Sequence, residues 1–129
     1  MILDSTFLVD FERERRRREP GAATEFLRAH QEARFCITFT IAGELAAGKS
    51  LGVDRTSWYR FIQPFRILES SAEVAWEFGR AYRHLQTEGT LIGANDLWIA
   101  ATGLAHQLPV VTRNAREFDR VPGLQVLSY

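Results

Sequence analysis

Residues 92–118 read IGANDLWIAATGLAHQLPVVTRNAREF, and they place a helix pattern directly before a strand pattern. Apolar side chains recur at helical spacing from Leu97 to Leu104. Pro109–Thr112 is a short apolar run typical of a buried strand, and a turn of helix is predicted after it. A helix that leads straight into a buried strand indicates a parallel sheet with helical crossovers.

The rest of the chain repeats this alternation on both sides. We predict strands at residues 1–4, 35–38, 66–69, 109–112 and 124–127. We predict helices over residues 5–19, 22–33, 40–48, 54–63, 70–89, 93–107 and 114–118. Strands that alternate with helices throughout predict an α/β fold with a mainly parallel central sheet covered on both faces, an α/β/α sandwich.

Composition limits the class of protein. The chain has 129 residues, of which 46% are apolar and 25% charged, with 16 basic and 16 acidic side chains. This profile predicts one globular domain over residues 1–129 and excludes intrinsic disorder. No apolar run approaches the ~20 residues of a membrane span, and Asp4 and Asp10 interrupt any leader-like segment. A single cysteine, Cys36, excludes an internal disulfide framework, so we expect a protein of the reducing cytoplasm.

Balanced charge argues against a protein that coats nucleic acid through bulk positive potential. A local basic stretch exists at Arg13 and Arg15–Arg18, interspersed with glutamates. It is compatible either with a solvated helix face or with a surface that steers RNA phosphates, and the sequence leaves both interpretations open.

Several acids follow separate strands. Asp4 ends the first strand, Glu44 lies in the helix after the second, and Asp96 opens the helix over residues 93–107. Three further polar residues come just after the strand at 109–112: Asn114, Glu117 and Asp119. Because functional crevices lie beyond the carboxyl ends of parallel strands, we expect several of these side chains at one edge.

Carboxylates gathered at one edge repel each other unless a cation lies between them. Oxygen ligands suit Mg²⁺ or Mn²⁺, which can hold a phosphate oxygen and activate a water molecule. Each acid taken alone is more simply a helix N-cap or first-turn residue, but several such residues after separate strands indicate a metal-dependent nuclease.

Three segments carry a family resemblance: ILDST at residues 2–6, ITFTIAGELAAG at 37–48, and IGANDLWIAATGLAHQLPVVTRNAREFDRVPGLQV at 92–126. They resemble PIN-domain ribonucleases, specifically the VapC toxins of bacterial and archaeal toxin–antitoxin pairs, and the resemblance covers nearly the whole chain. It implies a PIN-like fold and a Mg²⁺-dependent endoribonuclease, with Mn²⁺ as a substitute.

The resemblance also implies site residues. The principal acids would be Asp4, Glu44 and Asp96, with Asp4 and Asp96 as metal ligands. The hydroxyls that orient water or phosphate would belong to Ser5, Thr6 and Thr112. Many PIN domains have an aspartate where this chain has Asn114, so either Asn114 or Glu117 would serve as the fourth residue, and Asp119 would be a surface acid.

The implied partners are RNA, a cognate antitoxin and a second copy of the chain, with no membrane. An antitoxin segment would lie in an apolar groove lined by Phe7, Phe11 and Phe26 and by the helices from Ile41 to Phe61. The aromatic group at residues 58–65 belongs either to the core or to that groove.

Two other functions remain open. GELAAGKS at residues 43–50 matches the P-loop pattern of nucleotide-binding proteins and contains the only lysine, Lys49. A true P-loop must be an open loop, whereas Glu44–Ala47 are strong helix formers. The second alternative is a catalytically silent binding module of the same fold.

Overall fold

The computed structural model describes residues 1–129, in which five short strands alternate with seven helices. The elements are β1 (Ile2–Leu3), α1 (Ser5–Arg17), α2 (Ala22–Ala29), β2 (Cys36–Thr38), α3 (Phe39–Ala47), α4 (Arg55–Ile62), β3 (Arg66–Leu68), α5 (Ala72–Thr87), α6 (Ala94–His106), β4 (Val110–Val111), α7 (Ala115–Phe118) and β5 (Val126–Leu127). Every predicted strand and helix is present, so the predicted alternation is confirmed.

The strands form one parallel sheet in the order β3-β2-β1-β4-β5. In the central strand, Ile2 is in register with Cys36 on one side and with Val110 on the other. The sheet is parallel throughout, which confirms the predicted fold class. Short strands with both faces buried explain why the sequence shows continuous apolar runs there instead of alternation.

The order of the strands places helices on both faces of the sheet. The chain steps from β1 to β3 in one direction, then returns past β1 to add β4 and β5 on the other side. Since parallel crossovers are right-handed, this reversal puts α1–α4 on one face and α5–α7 on the other. Packing of α1 on α2 and of α5 on α6 agrees with that arrangement. The reversal lies between β1 and β4, where ligand crevices of open α/β sheets form.

The core lies between the sheet and these helices. Phe7, Leu8 and Phe118 are inaccessible to solvent, and Cys36 is buried as a free thiol among apolar neighbours. Phe7 packs against Tyr129 inside this core, so it does not line a surface groove as expected. The side chain lies on the inner face of α1, where burial excludes contact with a partner.

Helix α2 ends at Ala29, four residues before the predicted end at residue 33. The ring of His30 explains the difference, because its Nδ1 donates to the carbonyl oxygen of Phe26 at 2.8 Å. That carbonyl would otherwise accept the backbone N–H of His30, which instead bonds to Leu27. The ring thus replaces a helical hydrogen bond at the end of the helix.

The segment GELAAGKS does not form a phosphate-binding loop. Gly43–Ala47 belong to α3, and only Gly48–Ser50 lie in the turn that follows. Ser50 Oγ donates to Glu12 Oε1 at 2.9 Å, so its hydroxyl is engaged with a side chain of α1. The P-loop interpretation is therefore wrong, because helix propensity decides the conformation of residues 43–47.

The arginine-rich part of α1 is a charged helix face. Arg13 and Arg16 form ion pairs with acids one turn earlier, while Arg15–Arg18 are exposed to solvent. Among all helices, none is long and apolar enough to cross a membrane.

Candidate active site

Asp4 is the centre of the candidate site, at the carboxyl end of β1. Its side chain is buried with 2% exposure, yet both carboxylate oxygens have donors. Oδ1 accepts from the backbone N–H and the hydroxyl of Ser5, at 2.6 and 3.2 Å. Oδ2 accepts from the hydroxyls of Thr6 and Thr112, at 2.9 and 2.7 Å. Charge-assisted hydrogen bonds of this kind fix the carboxylate without any cationic side chain.

The hydroxyl groups form a layer between the ends of β1 and β4. The Oγ1 atoms of Thr6 and Thr112 are 3.4 Å apart. Thr112 also accepts the backbone N–H of Asn114 at 2.9 Å, which ties the turn after β4 to the layer. The predicted hydroxyl residues thus surround Asp4, whereas the exposed side chain of Asn114 makes no hydrogen bond.

Glu44 reaches the site from α3. Its Oε1 accepts a hydrogen bond from the side-chain amide of Asn95 on α6, at 2.8 Å. Its Oε2 is buried and has no hydrogen-bond partner. A buried carboxylate oxygen without a donor is costly, so this atom is available to a ligand. The contact with Asn95 was not predicted. Asn95 directly precedes Asp96 at the start of a helix, and that position indicates a site residue.

Asp96 lies in the first turn of α6, and its electrostatics connect all four predicted acids. Burial and, to a smaller extent, the negative charges of Asp4, Glu44 and Glu117 together raise its pKa to about 6. These charges raise the pKa of Asp96 because Asp4, Glu44 and Glu117 lie within electrostatic range of it. The four acids, which come from four separate segments of the chain, are thus coupled through Asp96.

Glu117 and Asp119 differ in their surroundings. Glu117 is half-buried on α7 and forms an ion pair with Arg120 at 3.4 Å, while contributing to the field at Asp96. Asp119 is exposed and has no such role. The expectation that Asp119 is a surface acid agrees with its position.

The fit of a metal ion follows from these donors. No three His, Cys, Asp or Glu side chains are arranged so that they could hold a metal ion by themselves. Mg²⁺ does not require this, because it typically keeps several waters and uses one or two carboxylates together with substrate oxygens. The unpartnered Oε2 of Glu44 and the repulsion at Asp96 are both features that a divalent cation would relieve. The residues present thus fit such an ion.

A second polar cluster beside the site was not predicted. Asp10 is 8% exposed on α1 and accepts a hydrogen bond from the hydroxyl of Tyr129 at 2.9 Å. Arg113, the residue after Thr112, forms an ion pair with the same carboxylate at 2.7 Å. The sequence offers one indication of this cluster, because Asp10 lies three residues after Phe7 and therefore on the same buried face of the helix.

A family model described as PIN domain matches residues 1–124 of the chain. The chain is 34% identical over 98 residues to the tRNA(fMet)-specific endonuclease VapC of Salmonella typhimurium, which covers 73% of this chain and 74% of the relative. It is 36% identical over 64 residues to the ribonuclease VapC of Rickettsia bellii. In that match the chain spans about half of the relative, 48% of its length.

The fold has matching solved structures. The crystal structure of DNA-bound VapBC from Salmonella typhimurium contains a chain that is 28% identical, with a TM-score of 0.85. The superposition covers 98% of this chain and 96% of that chain. This chain therefore has the central sheet and the helix order of a known architecture.

Proposed function

Because the chain belongs to the PIN-domain family, we propose that residues 1–129 form a single PIN-like domain that cleaves RNA as an endoribonuclease. We further propose that it is the toxin component of a toxin–antitoxin pair acting in the cytoplasm. Similarity to VapC ribonucleases supports the activity. The observation that carries the proposal is the mutual repulsion of Asp96 with Asp4, Glu44 and Glu117, which is an arrangement without structural benefit.

The proposed cofactor is Mg²⁺, with Mn²⁺ as a substitute. Asp4 and Asp96 would hold the ion, and the free Oε2 of Glu44 is left for proton transfer. When bound, such an ion lowers the pKa of water and stabilises negative charge on a phosphate. The hard oxygen donors favour these ions over softer metals.

The side chains of this protein would then supply positioning and proton transfer. Ser5, Thr6 and Thr112 hold Asp4 in one orientation through its four hydrogen bonds. Glu44 is the carboxylate best suited to accept a proton from attacking water, because Asn95 fixes Oε1 and leaves Oε2 free. Glu117 would serve as the fourth acid, and Asn114 would orient the substrate from the adjacent turn.

The proposed partners are RNA, an antitoxin and a second copy of the chain. A groove of about 670 Å³ runs between α1, α2 and β3, and its apolar lining includes Phe11, Leu27 and Phe65. Arg15, Arg34 and Arg66 also line this groove. Apolar walls edged by arginines fit an amphipathic segment with acidic residues, so this groove is the proposed antitoxin site. The similarity to a chain of a solved VapBC complex supports an antitoxin as partner.

The test is cleavage of RNA by the purified protein, with initiator tRNA and a mixed mRNA pool as substrates. Cleavage should require Mg²⁺ or Mn²⁺ and stop when EDTA is added. Asp96→Asn keeps the shape of the side chain and should lower the rate by about 100-fold or more. Asp119→Asn is the matched control, because it removes the same charge from an exposed position and should leave the rate unchanged.

Several outcomes would overturn parts of the proposal. Full activity in EDTA would contradict the metal assignment. No cleavage with any divalent metal would leave a silent binding module of the same fold. For the toxin assignment, the protein should co-purify with the small charged protein encoded beside it, and cleavage should be suppressed. Failure of both would remove the toxin role while leaving the nuclease role intact.

A further inference from the structure

The buried carboxylate of Asp10 organises three neighbouring side chains. Its Oδ2 accepts a hydrogen bond from the hydroxyl of Tyr129 at 2.9 Å and forms an ion pair with the guanidinium of Arg113 at 2.7 Å. Arg13 lies 3.2 Å from Oδ1 as an ion pair without hydrogen-bond geometry. Two guanidiniums on one carboxylate leave the cluster with a net charge of about +1. A surplus positive charge is therefore held next to an acidic site.

Tyr129 contributes to this cluster as a neutral donor. Burial raises the pKa of its phenol, and the hydrogen bond to Asp10 and the charge of Asp10 raise it further. The ring packs edge-on against Phe7 with centroids 4.6 Å apart. The hydroxyl is thus fixed in place and keeps its proton at physiological pH, so it cannot cancel the positive charge.

The side chain of Arg113 is held by an ion pair and is also exposed to solvent. Its side chain is 62% exposed, although its guanidinium is paired with Asp10, whose side chain is only 11% exposed. Its backbone N–H lies 3.4 Å from the hydroxyl of Thr6, which itself donates to Asp4. The backbone of Arg113 therefore lies beside the hydroxyl layer around Asp4, and its guanidinium is held from there by Asp10.

A cation close to the acidic site would reduce its repulsion of RNA. Four carboxylates repel the phosphates of an approaching RNA, and the Mg²⁺ site alone does not bind the flanking phosphates. An arginine that keeps free N–H donors can bind a phosphate through two parallel hydrogen bonds. Anchoring by Asp10 reduces the side-chain entropy that such a contact would otherwise cost.

We propose that Arg113 binds an RNA phosphate beside the scissile bond, and that Asp10 and Tyr129 are positioning residues that hold its guanidinium there. The inference rests on the proposed ribonuclease function. It adds a substrate-binding residue outside the acidic cluster, and it assigns a role to a buried ion pair that the metal chemistry does not use.

The test separates RNA binding from cleavage. Binding of a single-stranded RNA is measured in the Asp96→Asn background at several salt concentrations. Arg113→Gln should weaken binding and reduce the slope of log K against log salt by about 0.7, the value for one lost phosphate contact. Arg116→Gln removes an exposed arginine of the neighbouring helix that forms no ion pair, and it should leave the slope unchanged.

Cleavage assays complete the test. Arg113→Gln should raise KM about tenfold with little change in kcat, and Arg113→Lys should restore part of the loss. Tyr129→Phe should raise KM by a smaller factor, because Arg113 keeps Asp10 but loses a fixed neighbour. If Arg113→Gln matches Arg116→Gln in both slope and KM, the inference is wrong. A wild-type protein that binds RNA through Arg113 but cleaves nothing would overturn the proposed function, and it would reduce this inference to RNA phosphate binding by Arg113.

Discussion

Glu14 and Asp96 are acids in two helices, and the protein treats them in opposite ways. Glu14 lies near the end of α1 and caps the start of α2. Its Oε1 accepts the N–H of Ala23 at 3.1 Å, and its Oε2 accepts the N–H and hydroxyl of Thr24 at 2.9 and 2.6 Å. Burial opposes ionisation there, but hydrogen bonds from Thr24, Gly21 and Ala23 outweigh it and lower the pKa of Glu14.

Asp96 has burial without compensating donors. Burial and then the charges of Asp4, Glu44 and Glu117 raise its pKa to about 6. The contrast shows that a carboxylate stabilises this fold where backbone N–H groups meet it and costs stability where other acids do. An acid such as Asp96, which lies near other acids and lowers stability, indicates a functional role, because the cost is offset only when a ligand binds.

Among the variants that test this contrast, Thr112→Val is expected to have the largest effect, a loss of RNA cleavage. The substitution keeps the side-chain shape and removes the 2.7 Å hydrogen bond to Asp4 Oδ2. Loss of a residue that orients a metal ligand typically costs 10- to 100-fold, so we expect RNA cleavage to fall by that factor. Thr112→Ser keeps the hydroxyl and should retain most of the rate. Equal losses in both variants would show that packing, and not the hydrogen bond, matters at this position.

Glu14→Ala tests the other acid of the comparison, because it removes the cap of α2. Loss of a helix cap costs about 1 kcal/mol, and cleavage should be unchanged. Glu19→Ala is the control, because that acid is exposed and its side chain makes no hydrogen bond in the structure. Since the folded pKa of Glu14 lies below its usual value of 4.5, its contribution is present above pH 4.5 and is lost as the pH falls.

Urea denaturation at pH 7 and at pH 3 measures this prediction. The stability difference between Glu14→Ala and wild type should shrink at the lower pH, because the carboxyl loses charge as the pH falls below its usual pKa. A difference that stays constant with pH would mean that the side chain acts through packing alone.

An effect of similar size and opposite sign is expected from Asp96→Asn in the metal-free protein. Because the folded pKa of about 6 exceeds the ordinary 3.8, ionisation of Asp96 lowers stability as the pH rises between these values. The variant avoids this loss and should be more stable at pH 7 by about 1 kcal/mol, a reduced figure because solvent screens the repulsion. The gain should vanish at pH 3.5. A variant less stable than wild type at pH 7 would contradict the electrostatic account.

The elements of the fold were predictable because each carries its own local pattern. Apolar runs mark the strands, and Asp4 and Thr112 could be placed at one sheet edge because both end buried runs of a parallel sheet. The cap by Glu14 was not predictable, since it depends on the turn at Gly21. A side chain at that glycine would come within 2.5 Å of Glu14 Oε1.

The cluster at Asp10 escaped prediction for a different reason. Asp10 and Tyr129 are 119 positions apart, and no local pattern connects them. Their contact follows from the packing of α1 beside the sheet edge, which only the assembled fold defines. The same limit explains Phe7, whose helical spacing fits either a groove or the core until the neighbours of α1 are known.

Substitutions at Glu117 and Asn114 distinguish which of the two is the fourth residue of the site. Glu117 is half-buried and its charge acts on Asp96, whereas the side chain of Asn114 is exposed and unbonded. A partly screened charge is worth about 1 kcal/mol, which corresponds to about fivefold in rate. We therefore expect Glu117→Gln to lower kcat about fivefold and Asn114→Ala to change it less than twofold, measured on one RNA at saturating Mg²⁺. The ion pair with Arg120 complicates the first variant, so Arg120→Gln is measured beside it. If Arg120→Gln alone reproduces the loss, or if Asn114→Ala has the larger effect, the fourth acid is not Glu117.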